Sequence, residues 1–137
     1  MPQVNTLAVL VAALAAFGLG SLWYSPMLFS KPWMAENAWT MEKHKADPPA
    51  MARLLAIAFG CALIAAYAMA VLLVPLQHHS LEIGLRRGFA AGVCWMAASL
   101  ASTYAIEARS MRHWLINAGY YVAQFTLMGA VLGMMNG

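Results

Sequence analysis

Residues 54–76 read LLAIAFGCALIAAYAMAVLLVPL, and no side chain in this run carries a charge. An α-helix rises about 1.5 Å per residue, so about 20 apolar residues cross the roughly 30 Å hydrocarbon core of a bilayer. A helix also satisfies its own backbone hydrogen bonds, which lipid cannot do for it. The run therefore predicts a transmembrane helix.

Three other segments meet the same requirement, and none has an interior Lys, Arg, Asp or Glu: residues 4–24, 88–106 and 114–135. A membrane β-barrel needs at least eight strands of alternating hydrophobicity, a pattern that these continuous apolar runs lack. We therefore predict an all-α, integral membrane four-helix bundle. It would form a single transmembrane domain over residues 1–137, with short loops and one interfacial helix in loop 1.

The composition indicates that the lipid bilayer is the main partner of this chain. Hydrophobic residues make up 63% of it and charged residues only 9%, whereas ordinary soluble domains carry about 25% charged residues. The net charge is +3, and the few basic residues are too scattered to form a nucleic-acid interface. We expect no nucleic-acid partner.

An aromatic motif follows the first predicted span. The rings of Trp and Tyr prefer the headgroup level of a membrane, and a Ser-Pro pair discourages further helix. The predicted interface motif consists of Trp23, Tyr24, Ser25, Pro26 and Trp33.

The interfacial helix of loop 1 is predicted to begin at Pro32, because a missing N–H costs nothing in a first helical turn. It is predicted to end at the Asp-Pro-Pro run of residues 47–49. An apolar face and a charged face would let it lie in the plane of the membrane surface. The apolar face would consist of Met34, Ala38 and Met41, with Trp39 nearby. The charged face would consist of Glu42, Lys43 and Lys45.

Small residues recur four positions apart on three of the predicted spans. They are Ala12, Ala16 and Gly20, then Gly84, Gly88 and Gly92, then Gly129 and Gly133. Such ridges let two helix backbones approach closely in lipid. Two interpretations stay open: the ridges pack within one chain, or one of them, such as the ridge of the fourth span, forms a homodimer.

The basic residues predict an orientation, since Lys and Arg near span ends favour the cytoplasmic side. One side would carry Lys31, Lys43, Lys45, Arg53, Arg109 and Arg112, and the other only Arg86 and Arg87. We therefore expect a multi-pass protein of the cell inner membrane, with loops 1 and 3 in the cytoplasm and both termini outside.

A polar seam is predicted between the third and fourth spans. Each helix places residues three or four apart on one face, and the short connection makes the two spans antiparallel neighbours. The seam residues are Ser99, Thr103, Glu107, Arg109, His113, Asn117, Tyr120 and Gln124. They could line a pocket, or they could form interhelical hydrogen bonds worth about 0.6 kcal/mol each.

No pattern in the sequence indicates catalysis. The histidines His44, His78, His79 and His113 lie at span ends or in loops, so none is placed to bind haem within the bundle. The two cysteines form no CxxC motif, and neither a P-loop nor a dinucleotide-binding glycine pattern occurs. We expect no enzyme activity, no cofactor and no metal.

Several runs resemble a bacterial membrane family catalogued as domain of unknown function 1761. They are AFGLGSLWYSP at residues 16–26, KPWM at 31–34, EAR at 107–109 and LINAGY at 115–120, together with Gly88, Gly92, Trp95, Gly129 and Gly133. Family members often have a histidine where this chain has Tyr121. The resemblance implies a small four-span protein and no known activity.

Two functional hypotheses follow. The chain is a structural or accessory subunit that self-associates or docks on a larger membrane complex, or it is a small oligomeric transporter or channel whose path follows the polar seam. The first is preferred, because no ionisable side chain lies deep in a span, where such a group marks a pathway.

Overall fold

A computed structural model describes residues 3–37, 46–73 and 80–135, which contain helices, turns and short connections and no strand. Four of the five helices within these described residues are long and apolar enough to cross a membrane. The helices are α1 (Thr6–Trp23), α2 (Ser30–Asn37), α3 (Pro48–Leu73), α4 (Leu81–Ile106) and α5 (Met111–Met135). The all-α, multi-pass fold class is confirmed.

Side-chain caps explain why α4 and α5 begin earlier than predicted, at residues 81 and 111 rather than 88 and 114. The Ser80 hydroxyl accepts a hydrogen bond from the Ile83 N–H at 3.2 Å, and the Ser110 hydroxyl accepts one from the His113 N–H at 3.1 Å. Each cap satisfies a backbone donor that has no partner within its own helix. A hydropathy pattern does not predict these helix starts, because polar residues lie there.

Helix α3 begins at Pro48, six residues before the predicted span. The Asp-Pro-Pro run therefore opens this helix, because proline suits a first helical turn. The Met51 N–H donates to the Asp47 carbonyl at 3.1 Å, and the Ala50 N–H donates to the Asp47 carboxylate at 3.4 Å.

A short helix is present in loop 1, but α2 begins at Ser30, two residues before Pro32. Proline is still in the first turn, where its missing N–H removes no helical hydrogen bond. Several predictions lie outside the described residues: the positions Ala38, Trp39, Met41, Glu42, Lys43, Lys45, His44, His78 and His79, and the end of the second span.

The core forms around α5, which packs against all four of the other helices. Helix α1 packs along both α5 and α3, and its alanines Ala8, Ala12 and Ala16 are fully buried. The largest buried side chains come from the neighbouring helices: Met69, Leu73, Met128 and Leu132. Small residues on α1 thus bring its backbone close to larger side chains on α3 and α5.

The glycine ridges of α4 and α5 face one another within the chain. A Cβ atom added at Gly84 would lie 2.0 Å from the Gly129 carbonyl oxygen, and one added at Gly133 would lie 2.3 Å from the Ser80 carbonyl oxygen. The two backbones are therefore in direct contact. Packing within one chain is the role of these ridges, and the ridge of α5 is covered by α4.

Helix α4 contains a π-helical segment at Gly92–Ala97, between α-helical segments at Leu81–Ala91 and Ala98–Ile106. A π-turn inserts one extra residue into the helical repeat. The Trp114 indole N–H donates to the Ala97 carbonyl at 3.0 Å, which ties this segment to the first turns of α5. The extra residue changes which side chains of α4 face α5.

Candidate functional site

Asn117 joins three other helices or helix ends by hydrogen bonds. Its Oδ1 accepts from the Tyr24 hydroxyl at 2.8 Å and from the Trp33 indole N–H at 3.1 Å. Its Nδ2 donates to the Tyr104 hydroxyl at 2.7 Å. We call these four residues the Asn117 network. It connects α5 to the end of α1, to α2 and to the end of α4.

Aromatic rings surround this network. The ring of Tyr24 lies 5.3 Å from that of Trp33 and 5.4 Å from that of Tyr120, both near edge-on, a favourable geometry for aromatic pairs. The Trp23 indole N–H donates to the Ile116 carbonyl at 3.0 Å. The rings of the predicted interface motif therefore have partners inside the chain, on α5.

The Tyr24 hydroxyl remains a hydrogen-bond donor at any ordinary pH. Burial, reinforced by the nearby Tyr121, Tyr120 and Tyr104 hydroxyls, raises the pKa of Tyr24 well above its usual value. The proton stays on the phenol, and Asn117 Oδ1 keeps its partner. The network therefore has no titration step at Tyr24.

The α5 half of the predicted seam points into the bundle. His113 is 2% exposed and Gln124 is 6% exposed, while Asn117 and Tyr120 are half-buried between them. The Gln124 Oε1 has no hydrogen-bond partner among the described residues. These four side chains lie on the inner face of α5.

Two residues of the α4 half of the predicted seam do not face α5. Ser99 and Thr103 are exposed on the outer surface of α4, where the Thr103 hydroxyl donates to the Ser99 carbonyl at 3.2 Å. In a continuous α-helix, the row of Gly84, Gly88 and Gly92 would lead on to residues 99 and 103. The π-turn advances this row by one residue and brings Tyr104 inward instead.

Tyr104 is thus a functional candidate that sequence reasoning missed. Its ring lies 4.9 Å from that of His113, and its hydroxyl accepts from Asn117. The sequence signal is weak, since only its place next to Thr103 and its aromatic polar side chain single it out.

A polar cup lies where α2 meets the α4–α5 turn. Its volume is about 520 Å³, and its lining residues are Glu36, Ala108, Arg109, Ser110 and His113. The Ser110 hydroxyl donates to Glu36 Oε2 at 2.6 Å. Arg109 forms an ion pair with Glu107 and lies over the Tyr104 ring, 5.3 Å from its centre. Glu107 is exposed at the edge of this cup.

A second, mostly apolar crevice of about 370 Å³ lies between α1, α2 and α3. Its walls include Phe17, Ser21, Met34, Leu54 and Ala58, and Tyr24 and Trp33 separate it from Asn117. The two cavities therefore share α2 as a wall, with Trp33 on the crevice and Glu36 on the cup.

One family model matches residues 7–133 of the chain, and its description is "Protein of unknown function (DUF1761)". No curated protein and no solved structure matches the chain. Within the described residues, no three His, Cys, Asp or Glu side chains come together as metal ligands would.

Proposed function

The chain belongs to the DUF1761 family, and we propose that it is a structural or accessory membrane subunit that associates through the outer face of α4. We define the α4 outer face as Trp95, Ser99, Ser102 and Thr103. Ser99 is four positions after Trp95, Ser102 and Thr103 are three and four positions after Ser99, and all four residues are exposed. The proposal rests on their direction, away from the bundle.

Hydroxyl groups that face lipid support a contact with another helix. The Ser99 and Ser102 side chains are exposed, so their hydroxyls meet whatever lies outside the chain on this face. A polar group without a partner is costly in hydrocarbon. Ser and Thr side chains bond across helices in membranes, and small residues let the helices approach. A second copy, or a helix of a larger complex, would supply those partners.

The inward polar groups support a structural role. The Asn117 amide forms hydrogen bonds with Tyr24, Trp33 and Tyr104. These groups are therefore paired within the chain and do not need a substrate as a partner. The charged residues of the four long helices lie within the first two turns of a helix: Arg53, Glu82, Arg86, Arg87 and Arg112. A solute that crossed the membrane along the described spans would therefore meet no charged side chain deep in the bilayer.

The alternative, a small oligomeric transporter or channel, draws support from Gln124. Its buried Oε1 has no partner among the described residues, and a buried acceptor of this kind could serve a passing solute. Flux through purified protein in vesicles, abolished by Gln124→Leu, would favour this function over the accessory one.

Cross-linking tests association through the α4 outer face. In membranes containing a chain with Cys61→Ala and Cys94→Ala, we expect Ser99→Cys to form a disulfide-linked product under mild oxidation. A product of twice the 14.8 kDa chain mass indicates self-association, and a product of another mass indicates a different subunit.

The matched control is Ile57→Cys in the same background. Ile57 is 60% exposed on α3 and lies nine residues after Pro48, a depth similar to that of Ser99, seven residues before Ile106. We expect no product from this variant. Equal products from both positions, or none from Ser99→Cys, would contradict the proposal.

We further propose that the chain lies in a bacterial inner membrane with loops 1 and 3 in the cytoplasm. At that end the described residues include Lys31, Arg53, Arg109 and Arg112, against Arg86 and Arg87 at the other. The excess of basic residues near span ends sets orientation.

Reporter fusions check this orientation. We expect alkaline phosphatase fused after Gly137 to be active, because it would lie outside, and a green fluorescent protein at the same point to stay dark. The opposite pair of results would overturn the orientation, and activity of both reporters would indicate insertion in both directions.

A further inference from the structure

The polar cup contains a buried polar atom that lacks a partner. His113 is 2% exposed, and its Nε2 has no hydrogen-bond partner among the described residues. An unpaired buried polar atom costs free energy, so native structures pair nearly all of them. His113 lines the cup while its Nε2 is covered, so a ligand in the cup can supply the missing hydrogen bond once the imidazole turns toward it.

The cup presents charges of both signs. Glu36 accepts from Ser110 through Oε2, which leaves Oε1 for a cation. Arg109 pairs with Glu107 through Nε, which leaves its two Nη groups for an anion. A simple anion would meet the Glu36 carboxylate, and a simple cation would meet the Arg109 guanidinium. A ligand with both charges satisfies each of them.

The backbone adds donors on the Arg109 side. The first amide groups of α5, at Met111 and Arg112, precede any intrahelical acceptor, and such helix starts attract anions. Beside them, Ala108 has a φ of 56°, a left-handed conformation that is strained for alanine. This strained turn directs the chain from α4 into α5 around the cup.

We propose that the cup binds a zwitterion that carries a phosphate and a primary ammonium group. The phosphate lies beside Arg109 and the start of α5, and the ammonium lies beside Glu36 and His113. The cup is at the end of the spans, where the headgroups of a bilayer would lie. Phosphoethanolamine has this chemistry, either as a lipid headgroup or as a free molecule. The inference is independent of the α4 outer face.

Calorimetric titration of the full chain in a maltoside detergent tests the proposal. The probes are a short-chain phosphoethanolamine lipid, its choline counterpart, free phosphoethanolamine and inorganic phosphate. We expect the phosphoethanolamine lipid to bind and the choline lipid to bind at least tenfold more weakly, because a quaternary ammonium cannot donate hydrogen bonds. Saturable binding of free phosphoethanolamine would show that the cup also accepts the soluble molecule. Saturable binding of the lipid alone would show that the natural ligand is a lipid headgroup.

Three variants test the assignment of groups. Glu36→Gln and Arg109→Gln should each weaken binding by about tenfold, since each removes a charge-assisted hydrogen bond. The control is Arg112→Gln, which removes a nearby charge outside the cup and should change binding by less than about twofold. Circular dichroism verifies that all three variants keep the fold.

Three outcomes would overturn the proposal. Inorganic phosphate that binds as tightly as the phosphoethanolamine lipid, with Glu36→Gln having no effect, would make the cup a plain anion site. Equal binding of the choline lipid would remove the role of the primary ammonium. If no probe bound to the folded chain, the partner of His113 Nε2 would be a water molecule and not a ligand.

Discussion

Gly88→Ala should lower the free energy of unfolding by about 3 kcal/mol, the upper part of the range for overpacked sites. An alanine Cβ at this position would lie 2.1 Å from the Phe125 carbonyl oxygen and 2.9 Å from the Thr126 Cα. Both atoms belong to the backbone of α5, so no flexible side chain can move aside. The helices must separate, and the contact that holds α4 to α5 is lost along its length.

Gly60→Ala is the matched control. Gly60 is also inside a transmembrane helix, α3, but a Cβ atom there meets nothing within 4 Å. Alanine favours helix over glycine by up to about 1 kcal/mol, so this variant should be neutral or slightly more stable.

Unfolding in maltoside micelles with increasing dodecyl sulfate, followed by circular dichroism, measures both variants. Gly88→Ala should shift the midpoint to much lower dodecyl sulfate, and Gly60→Ala should not. Equal midpoints for the two variants would mean that α4 and α5 are not in backbone contact at Gly88.

The four spans were predictable because a helix that crosses a bilayer must be continuous, apolar and of sufficient length. Their starts were less predictable, because Ser80, Ser110 and the Pro48 turn extend helices through polar residues that a hydropathy pattern excludes. The ridges were predictable as close contacts. Which ridge faces which could not be read from spacing alone, since either a partner chain or the same chain can fill a small-residue groove.

The candidate site was half predictable. The inner face of α5 follows the ordinary helical repeat, so His113, Asn117, Tyr120 and Gln124 share it as their spacing indicates. The α4 half depends on one extra residue in the π-turn at Gly92–Ala97. Nothing in the local composition distinguishes a π-turn from an α-turn there. The stabilising contact, from Trp114 to the Ala97 carbonyl, comes from another helix.

Two of the runs that carry the family resemblance meet in the structure. Tyr24, from the run at residues 16–26, bonds to Asn117, from the run at residues 115–120. Trp23 bonds to the Ile116 carbonyl and lies against Gly119, where an added Cβ would be 3.2 Å from the Trp23 ring. The aromatic motif thus serves to close the loop end of the bundle on α5.

Asn117→Leu should open that end of the bundle. The variant removes three hydrogen bonds. The Tyr24 and Trp33 donors and the Tyr104 acceptor then lack their amide partner. Interhelical hydrogen bonds in membranes are worth about 0.6 kcal/mol on average and up to about 1.7 kcal/mol, so we expect a loss of roughly 2–4 kcal/mol. The same dodecyl sulfate titration measures it.

Helix α2 should respond most strongly. The hydrogen bond from Trp33 to Asn117 attaches it to α5, and the one from Ser110 to Glu36 attaches it to the turn before α5. A glutamate-specific protease should therefore cut after Glu36, which lies on α2 and is partly buried, several times faster in Asn117→Leu than in the unchanged chain. Thr126→Val is the control, since its hydroxyl donates to the Val122 carbonyl within α5, and it should leave both stability and cleavage nearly unchanged. If Asn117→Leu matched Thr126→Val in both measurements, Asn117 would not hold α2 on the bundle, and the wall between cup and crevice would have to depend on the packing of Tyr24 and Trp33 alone.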